Sequence, residues 1–367
     1  MILLETERNS LLASLSATVG VVEKRHTLPI LSNVLLQSQD GKLSLLATDL
    51  ELQVSTTLQG KAGEDFSITT GARKLFDIVR ALPDASSVKL DSKDSQLEVR
   101  AGKSRFTLQT LPAADFPRME TGAGVAGEVS LPQKTLKRLL QLVQFAMAQQ
   151  DIRYYLNGML LVLDGDALRV VATDGHRLSF AETTLENGGQ KKEAIIPRKT
   201  VIELSKLLQD SDEPVTLRVG DNQVTIELAG TRLVSKIVDG KFPDYQRVIP
   251  VGHEKHLVIN RQLGVQALQR AAILSNEKFR GVRLVMGANA LNVVCNNNEQ
   301  EEAQEEIEAK YDSEALDIGF NVTYLQDGLN ALSCEEVTLS FSDANSSMLL
   351  TAESEPGFKY VVMPMRI

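Results

Sequence analysis

The stretches LSLLATD (43–49), LRVVATD (168–174) and LNVVCNN (291–297) share one apolar and polar pattern, and they begin 125 and 123 residues apart. A second set keeps the same spacing: RKLFDIV begins at Arg73, RKTVIEL at Arg198 and NVTYLQD at Asn321. Self-similarity at a fixed period is typical of chains built from repeated units. The 367 residues are therefore predicted to form three similar domains, at 1–121, 128–246 and 247–367.

Two kinds of hydrophobic periodicity alternate within each repeat. From Gln133 to Ala148, five apolar residues fall on one helical face: Leu136, Leu139, Leu140, Val143 and Met147. Most other segments alternate apolar and polar residues over five to eight positions, which indicates strands, and Asp-Gly pairs such as Asp40-Gly41 and Asp164-Gly165 indicate turns between them. The sequence thus predicts an α+β fold in which each domain packs two helices on antiparallel sheet.

Composition limits the classes of protein that need to be considered. An apolar fraction of 43% is enough for each domain to have a core and argues against a disordered chain. The 39 basic and 48 acidic side chains give a net charge of -9, which argues against gripping nucleic acid by bulk electrostatics but leaves room for a local basic surface. With 5% aromatic residues and no Trp, rows of bases stacked on rings are disfavoured.

Short apolar runs and the acidic start MILLETERNS predict a soluble chain without a membrane span or a signal peptide. Cys295 and Cys334 are the only cysteines, and neither lies at a zinc-ligand spacing from a histidine. The sequence therefore predicts a cytoplasmic protein with no disulfide framework, no metal and no cofactor.

Signatures of enzymes are weak or missing. GAGVAG (122–127) matches GxGxxG, but it lacks the preceding strand and following helix of a dinucleotide site and is interpreted as a linker. GxxxxGK[ST], HExxH and GxSxG do not occur. Of the four histidines, His26, His176, His253 and His256, the last two could bind a metal but fit a solvated loop better. The acidic run 299–308 is similarly interpreted as a solvated face.

Several longer strings point to one family. RHTLPILSNVLL, TLPAADFPRM, DIRYYLNGML, VATDGHRL, AAILSNEKFRGVRL, EQEEA and the terminal VVMPMRI resemble the bacterial DNA polymerase III β subunit, the sliding clamps, and the likeness extends to Ile367. The resemblance implies a head-to-tail homodimeric ring around double-stranded or primed DNA. It implies no catalysis, and a role in tethering the polymerase III catalytic subunit, the clamp loader and other replication or repair proteins.

The resemblance also implies site residues. For DNA these are Arg25, Arg73, Gln150, Tyr154 and Tyr155. For a partner-peptide cleft between the central and C-terminal domains they are Leu156, Thr173, Gly175, His176, Arg177, Leu178, Pro243, Arg247, Val248, Phe279, Ser347, Val361, Val362, Met363, Pro364, Met365 and Arg366. For the dimer they are Phe106 and Leu108 against Ile273 and Leu274, with Glu301 and Lys74 as candidate ion-pair partners across the interface. The family commonly ends in Leu where this chain has Ile367.

Three hypotheses stay open at the level of sequence. A sliding clamp accounts for the basic helix face made by Lys134, Lys137 and Arg138 in an acidic protein. A hydrolase centred on Asp49, Asp174 and His176 is a second possibility, although the two aspartates occupy the same repeat position, as turn residues would. A repeat-built scaffold that binds only proteins is the third.

Overall fold

A computed structural model describes residues 2–23, 27–120 and 127–367. Arg25 and His26, and GAGVAG apart from its last glycine, lie outside this part of the chain. Helices and antiparallel strands alternate through the described residues, which confirms the α+β fold. None of the helices in these ranges is both long and apolar enough to span a membrane.

The first repeat begins with a strand and a helix, continues with five strands and a second helix, and ends with three strands. Its elements are β1 (Ile2–Glu7), α1 (Arg8–Val19), β2 (Asn33–Gln39), β3 (Lys42–Thr48), β4 (Leu52–Thr57), β5 (Lys61–Ala62), β6 (Phe66–Gly71), α2 (Ala72–Ala81), β7 (Ser87–Lys93), β8 (Gln96–Ala101) and β9 (Ser104–Leu111).

The central repeat follows the same order with two long strands in place of several short ones. Its elements are β10 (Gly127–Pro132), α3 (Gln133–Val143), β11 (Gly158–Thr173), β12 (Arg177–Pro197), α4 (Arg198–Leu207), β13 (Pro214–Val219), β14 (Gln223–Leu228) and β15 (Thr231–Lys236). The pairing of β11 with β12 shifts register on both sides of Gly165, whose φ is +58°, at the predicted turn.

The third repeat has the order of the first without its short strand β5. Its elements are β16 (Lys255–Asn260), α5 (Arg261–Ala271), β17 (Gly281–Gly287), β18 (Ala290–Asn296), β19 (Glu302–Lys310), β20 (Leu316–Asn321), α6 (Val322–Ala331), β21 (Glu336–Phe341), β22 (Met348–Thr351) and β23 (Phe358–Val362). The second helices begin at Ala72, Arg198 and Val322, which are 126 and 124 residues apart, so the predicted equal spacing of the second set of strings is wrong by one residue.

The predicted helix after Pro132 is shorter than its periodicity suggested. α3 ends at Val143, and Gln144–Ala146 forms a 3-10 turn. The apolar face is nevertheless as predicted, since Leu136, Leu140 and Val143 are fully buried. Met147 is also buried, beyond the helix, so its burial depends on the turn and not on helical periodicity.

The strands form two antiparallel sheets, and each sheet crosses a boundary between repeats. β15 of the central repeat pairs with β4 of the first repeat, with Arg232 opposite Ser55. β23 of the third repeat pairs with β12 of the central repeat, with Lys359 opposite Phe180. The chain consequently groups into two compact units, Met1–Lys134 with Ile202–Ile237 and Thr135–Val201 with Val238–Ile367. The predicted three domain boundaries stay a prediction.

Candidate functional site

Many of the residues predicted for the partner cleft meet where β12 and β23 pair in the second compact unit. Arg177 lies opposite Val362, and Leu178 lies opposite Val361. Beyond the last pair, the Met363 amide donates a hydrogen bond to the His176 carbonyl at 3.0 Å. The backbone ladder therefore brings the loop before β12 next to the start of the C-terminal tail.

A tight turn shapes the loop between β11 and β12. The Thr173 hydroxyl donates to the Arg177 carbonyl at 2.6 Å and accepts from the Gly175 amide at 3.1 Å. Asp174 Oδ1 accepts from the amides of His176 and Arg177. Gly175 has a φ of +89°, a conformation that favours glycine. The His176 side chain is left exposed at the edge of the turn.

The first repeat contains the same turn. Thr48 Oγ1 donates to the Leu52 carbonyl at 3.0 Å and accepts from the Leu50 amide at 3.0 Å. Asp49 Oδ1 accepts from the amides of Glu51 and Leu52. Asp49 and Asp174 thus accept the same pair of backbone hydrogen bonds in equivalent turns, which supports their interpretation as turn residues. The hydrolase hypothesis loses its basis, because it required them as catalytic groups.

Beneath the turn lies a cluster of buried apolar side chains, which we call the floor. Tyr155, Tyr245 and Ile249 pack against it while remaining partly exposed, and Tyr245 stacks on Phe180 at 5.8 Å between ring centroids. The floor consists of Leu160, Val162, Val171, Leu178, Phe180, Ile195, Phe242 and Val361. Only Leu178 and Val361 were predicted as site residues.

Exposed side chains lie within two residues of the floor residues, or of Tyr245 and Ile249, in the chain. We call them the rim: His176, Pro243, Arg247, Val248 and Met363. Val248 and Met363 are 44% and 49% exposed although both are large and apolar. Pro243 is exposed, and Arg247 is 87% exposed with its Nε 3.0 Å from Asp244 Oδ2. An apolar floor bounded by exposed apolar and charged groups is suited to a short peptide with an apolar anchor.

The remaining predicted cleft residues are placed differently. Leu156, Thr173 and Val362 are buried. The Ser347 carbonyl is 2.9 Å from His253 Nε2, so this histidine holds a loop. Phe279 is 57% exposed and precedes β17, whose first residue, Gly281, lies against Ile367. Pro364 and Met365 are half-buried and Arg366 is exposed.

The Arg177 side chain is bound within the chain. Its guanidinium donates to Asp174, to Asp327 of α6 and to the Phe145 carbonyl, and it lies over the Tyr324 ring at 4.4 Å. Burial opposes the charge, but the neighbouring Tyr360 and Asp327 groups raise the pKa of Arg177 above its usual range. The side chain is only 10% exposed, so its charge is neutralised within the chain and is not presented at the surface.

The residues predicted to contact DNA include a surface segment before β11. Gln150 is exposed with a φ of +54°, and Tyr154 is 57% exposed. Tyr155 is half-buried against the floor, with its ring 5.9 Å from that of Tyr154. Hydrogen bonds from Arg153 lower the pKa of Asp151 to about 2, which keeps this carboxylate charged beside the tyrosines.

The basic helix residues are less available than the sequence suggested. Lys134 pairs with Asp212 at 2.7 Å, and Arg138 pairs with Glu355 at 2.6 Å and donates to the Ala331 carbonyl. Arg198 donates to the Met147 carbonyl, and burial together with nearby Arg177 lowers its pKa. Arg73 is exposed, with one guanidinium nitrogen donating to the Val22 carbonyl at 2.6 Å.

The residues predicted for the dimer include exposed apolar groups. Ile273 is 78% exposed in the 3-10 turn after α5, and Leu274 is half-buried. Phe106 on β9 is 37% exposed, whereas Leu108 is 9% exposed. Phe106 and Ile273 are therefore accessible to another molecule, whereas Leu108 is largely covered within the chain.

The acidic run presents an exposed face, as its interpretation from sequence expected. His253 lies in a loop, but the same prediction was wrong for His256, which lies in β16. Glu302, Gln304, Glu306 and Glu308 alternate on the exposed face of β19. His256 Nδ1 lies 2.9 Å from the Ser340 hydroxyl. Within residues 2–23, 27–120 and 127–367, no group of three or more His, Cys, Asp and Glu side chains is placed to hold a metal ion.

Comparisons with known proteins agree over the whole chain. Models of the DNA polymerase III beta subunit match its N-terminal, central and C-terminal domains at residues 2–120, 130–244 and 246–366. The beta sliding clamp of Escherichia coli K12 is 46% identical over 362 residues, covering 98% of this chain and 99% of that protein. The crystal structure of the DNA polymerase III subunit beta from Pseudomonas aeruginosa matches at a TM-score of 0.94 and 46% identity, with 100% of both chains covered.

The chain belongs to the DNA polymerase III beta subunit family. A Pseudomonas aeruginosa sliding clamp bound to griselimycin is similar as well, at a TM-score of 0.95 and 45% identity. The predicted function, a DNA sliding clamp for DNA polymerase III, is confirmed, and so is its non-catalytic character, because the family is one of processivity subunits.

Sequence reasoning missed part of the site that the structure describes. Tyr245 and Ile249 flank the predicted Arg247 and Val248, and Phe242 precedes the predicted Pro243. Phe242 belongs to a Phe-Pro pair that recurs at Phe116-Pro117, so the repeat itself was a signal for it. Asp327 gave no comparable signal, because its role depends on contact with an arginine 150 residues away.

Replacing Arg177 by Met removes the guanidinium and leaves two carboxylates without their partner. We expect a loss of roughly 3 to 5 kcal/mol in the free energy of unfolding, because a partly buried charge network is broken on one side. Arg247→Met is the matched control, since an exposed pair contributes at most about 1 kcal/mol. Urea denaturation followed by circular dichroism measures both, and equal midpoints for the two variants would contradict this role for Arg177.

Proposed function

We propose that the floor and rim form the site at which this clamp binds partner peptides. The observation that carries the proposal is an apolar cluster under exposed apolar side chains, all within one compact unit. The expected occupants are short segments of the polymerase III catalytic subunit, the clamp loader and other replication or repair proteins. Leucine or phenylalanine anchors would enter over the floor, and Met363 and Met365 would adapt to different partners.

We infer that each chain has one such site, although the strand pairing that builds it occurs twice. The pairing of β4 with β15 is the counterpart in the first unit, where four floor positions are also apolar: Leu35, Leu46, Phe116 and Val234. Four other floor positions are polar there: Gln37, Gln53, Ser55 and Thr69. These groups are satisfied internally, as in the hydrogen bond from the Met119 amide to Gln53 Oε1 at 2.8 Å. An apolar anchor would gain little from covering them.

We propose that Arg25, Arg73, Gln150, Tyr154 and Tyr155 contact the DNA. Arg25 lies outside the described residues. The exposure of Arg73, Gln150 and Tyr154 supports contacts to the sugar-phosphate backbone that do not read the sequence. Weak contacts of this kind suit a clamp that must move along its template.

We propose a dimer in which β9 of one copy pairs with β19 of another. Across the described residues, Ser104–Gln109 of β9 has a strand partner only on the β8 side, and Glu302–Glu308 of β19 has one only on the β18 side. β9 is the repeat counterpart of β15 and β23, while β19 is the counterpart of β4 and β12. An unpaired strand edge is a template for pairing with another chain.

The two observed pairings define a register for the third. Arg232 opposite Ser55 and Lys359 opposite Phe180 are equivalent pairs in the repeat. The same position in β9 is Arg105. In β19 it is Gln304, because Val294 of β18 pairs with Gln304 as Leu46 of β3 pairs with Ser55. Phe106 would then face Ala303, and Ile273 and Leu274 would complete the apolar contact.

We further propose that the three repeats are domains at 1–121, 128–246 and 247–367 and that the protein works in the cytoplasm. The recurring strand and helix order and the matching family models support the boundaries. The cytoplasm is the compartment in which a bacterial polymerase meets its template.

Replacing His176 by Ala should weaken binding of a fluorescent peptide with a leucine-phenylalanine anchor about tenfold, because the rim loses a side chain that would cover the bound anchor. Glu51→Ala is the matched control, since Glu51 holds the same position in the turn of the first repeat. Fluorescence anisotropy gives the Kd of each protein and the number of peptides bound per chain. Two peptides per chain, or an equal loss for both variants, would count against a single site here.

A chain carrying Arg105→Cys and Gln304→Cys should form intermolecular disulfides on mild oxidation, because directly opposed strand residues lie within about 5.5 Å between Cα atoms. Arg105→Cys with Glu306→Cys shifts the pair by two residues on the same face and should crosslink far less. Each single-cysteine variant controls for Cys334, which is partly exposed. Gel electrophoresis without reductant reads the result, and equal crosslinking of both pairs would rule out the register.

A further inference from the structure

The C-terminal segment Met363–Ile367 is held at two points. At its start, the Met363 amide donates to the His176 carbonyl at 3.0 Å. Two residues later, the Met365 amide donates to the Gly319 carbonyl of β20 at 2.9 Å. The segment, which we call the strap, carries Met363 of the rim and Met365, and both are assigned to the proposed peptide site.

Two glycines make room for the end of the strap. A Cβ atom on Gly319 would lie 2.5 Å from the Met365 carbonyl oxygen and 2.8 Å from Ile367 Cδ1. A Cβ atom on Gly281 would lie 3.1 Å from the same Cδ1. Because Gly281 pairs with Asn321 and Gly319 with Arg283, both glycines belong to one face of the β17–β20 ladder. The Ile367 side chain therefore occupies space that the side chain of any residue other than glycine at positions 281 and 319 would fill.

The central repeat has a larger residue at the corresponding place. There the Val238 amide donates to the Ile195 carbonyl at 2.9 Å, which is the counterpart of the bond from Met365 to Gly319. Ile195 is 3% exposed and belongs to the floor. In the third repeat the equivalent position is Gly319, because Arg283 pairs with Gly319 as Leu160 pairs with Ile195. The side chain of Ile367 lies beside this glycine instead.

We propose that Gly281, Gly319 and Ile367 form a seat that positions the strap and thereby sets how long partner peptides stay bound. This inference rests on the proposed peptide site. These are positioning residues, because they act through Met363 and Met365. A rim that is already ordered loses less conformational entropy when a peptide binds, and differences of this kind between variants act mainly on the dissociation rate.

The test compares three Gly→Ala variants of graded expected effect. Gly319→Ala forces the Met365 carbonyl to move and should speed peptide dissociation roughly tenfold, whereas Gly281→Ala meets only a side-chain tip and should speed it about twofold to threefold. Gly287→Ala, at the other end of β17, is the control, since nothing lies within 4 Å of its added Cβ. None of the three glycines has a positive φ, so alanine fits each backbone.

Two C-terminal variants separate positioning from folding. Deleting Ile367 should speed peptide dissociation as Gly319→Ala does, although it changes no strand residue. Ile367→Leu should keep near-wild-type dissociation rates, because a leucine side chain still fills the seat. Hydrogen-deuterium exchange of the C-terminal peptide gives a readout that needs no ligand. It should be fast in Gly319→Ala and in the deletion, and slow in Gly287→Ala.

The outcomes distinguish the seat from the site. If wild-type protein binds no peptide, the proposed function fails, while the exchange rates still test the seat. If wild-type protein binds and Gly319→Ala matches Gly287→Ala in both dissociation and exchange, the seat is wrong and the peptide site stands. Fast exchange with unchanged dissociation would also overturn the proposal, because the strap would then be mobile without effect on binding.

Discussion

Backbone pairing between successive repeats is the constraint on which the rest of this structure depends. The last strand of the central repeat completes the sheet of the first, and the last strand of the third completes that of the central. Each pairing provides hydrogen-bond partners for backbone amide and carbonyl groups that would otherwise form an unpaired sheet edge, to which a strand of another chain could add. The same rule, applied once more, supports the proposed pairing of the open edge of β9, Ser104–Gln109, with the open edge of β19, Glu302–Glu308, in a second copy.

Pairing between repeats also builds the backbone of the candidate site. Whether the surface there is apolar depends on the side chains that the paired strands carry. The two observed junctions share a turn, a strand register and a hydrogen bond, since the Lys236 amide reaches the Glu51 carbonyl as the Met363 amide reaches that of His176. Their chemistry differs at positions such as Gln53 against Leu178 and Ser55 against Phe180. The repeated backbone thus provides two equivalent positions, and the difference in polarity supports the proposal that only the second binds an apolar anchor.

Much of this organisation could be predicted from sequence. The repeat period, the apolar face of α3 and the turn role of Asp49 and Asp174 follow from residue order, because they depend on local geometry. The internal pairing of Arg138 and Arg177 could not be predicted, since it depends on carboxylates more than 100 residues away in the chain. For the same reason a basic helix face overstated the charge that is free to meet DNA. The polar character of the first junction, by contrast, was readable once the repeats had been aligned.

A net charge of -9 fits a protein that holds DNA by encircling it, since few favourable contacts are then needed. The most direct test loads the protein onto closed circular DNA, raises the salt until phosphate contacts are screened, and then cuts the circle. The account predicts that protein stays on the intact circles and leaves once they are linear. Equal retention on both forms, or equal loss from both, would contradict it.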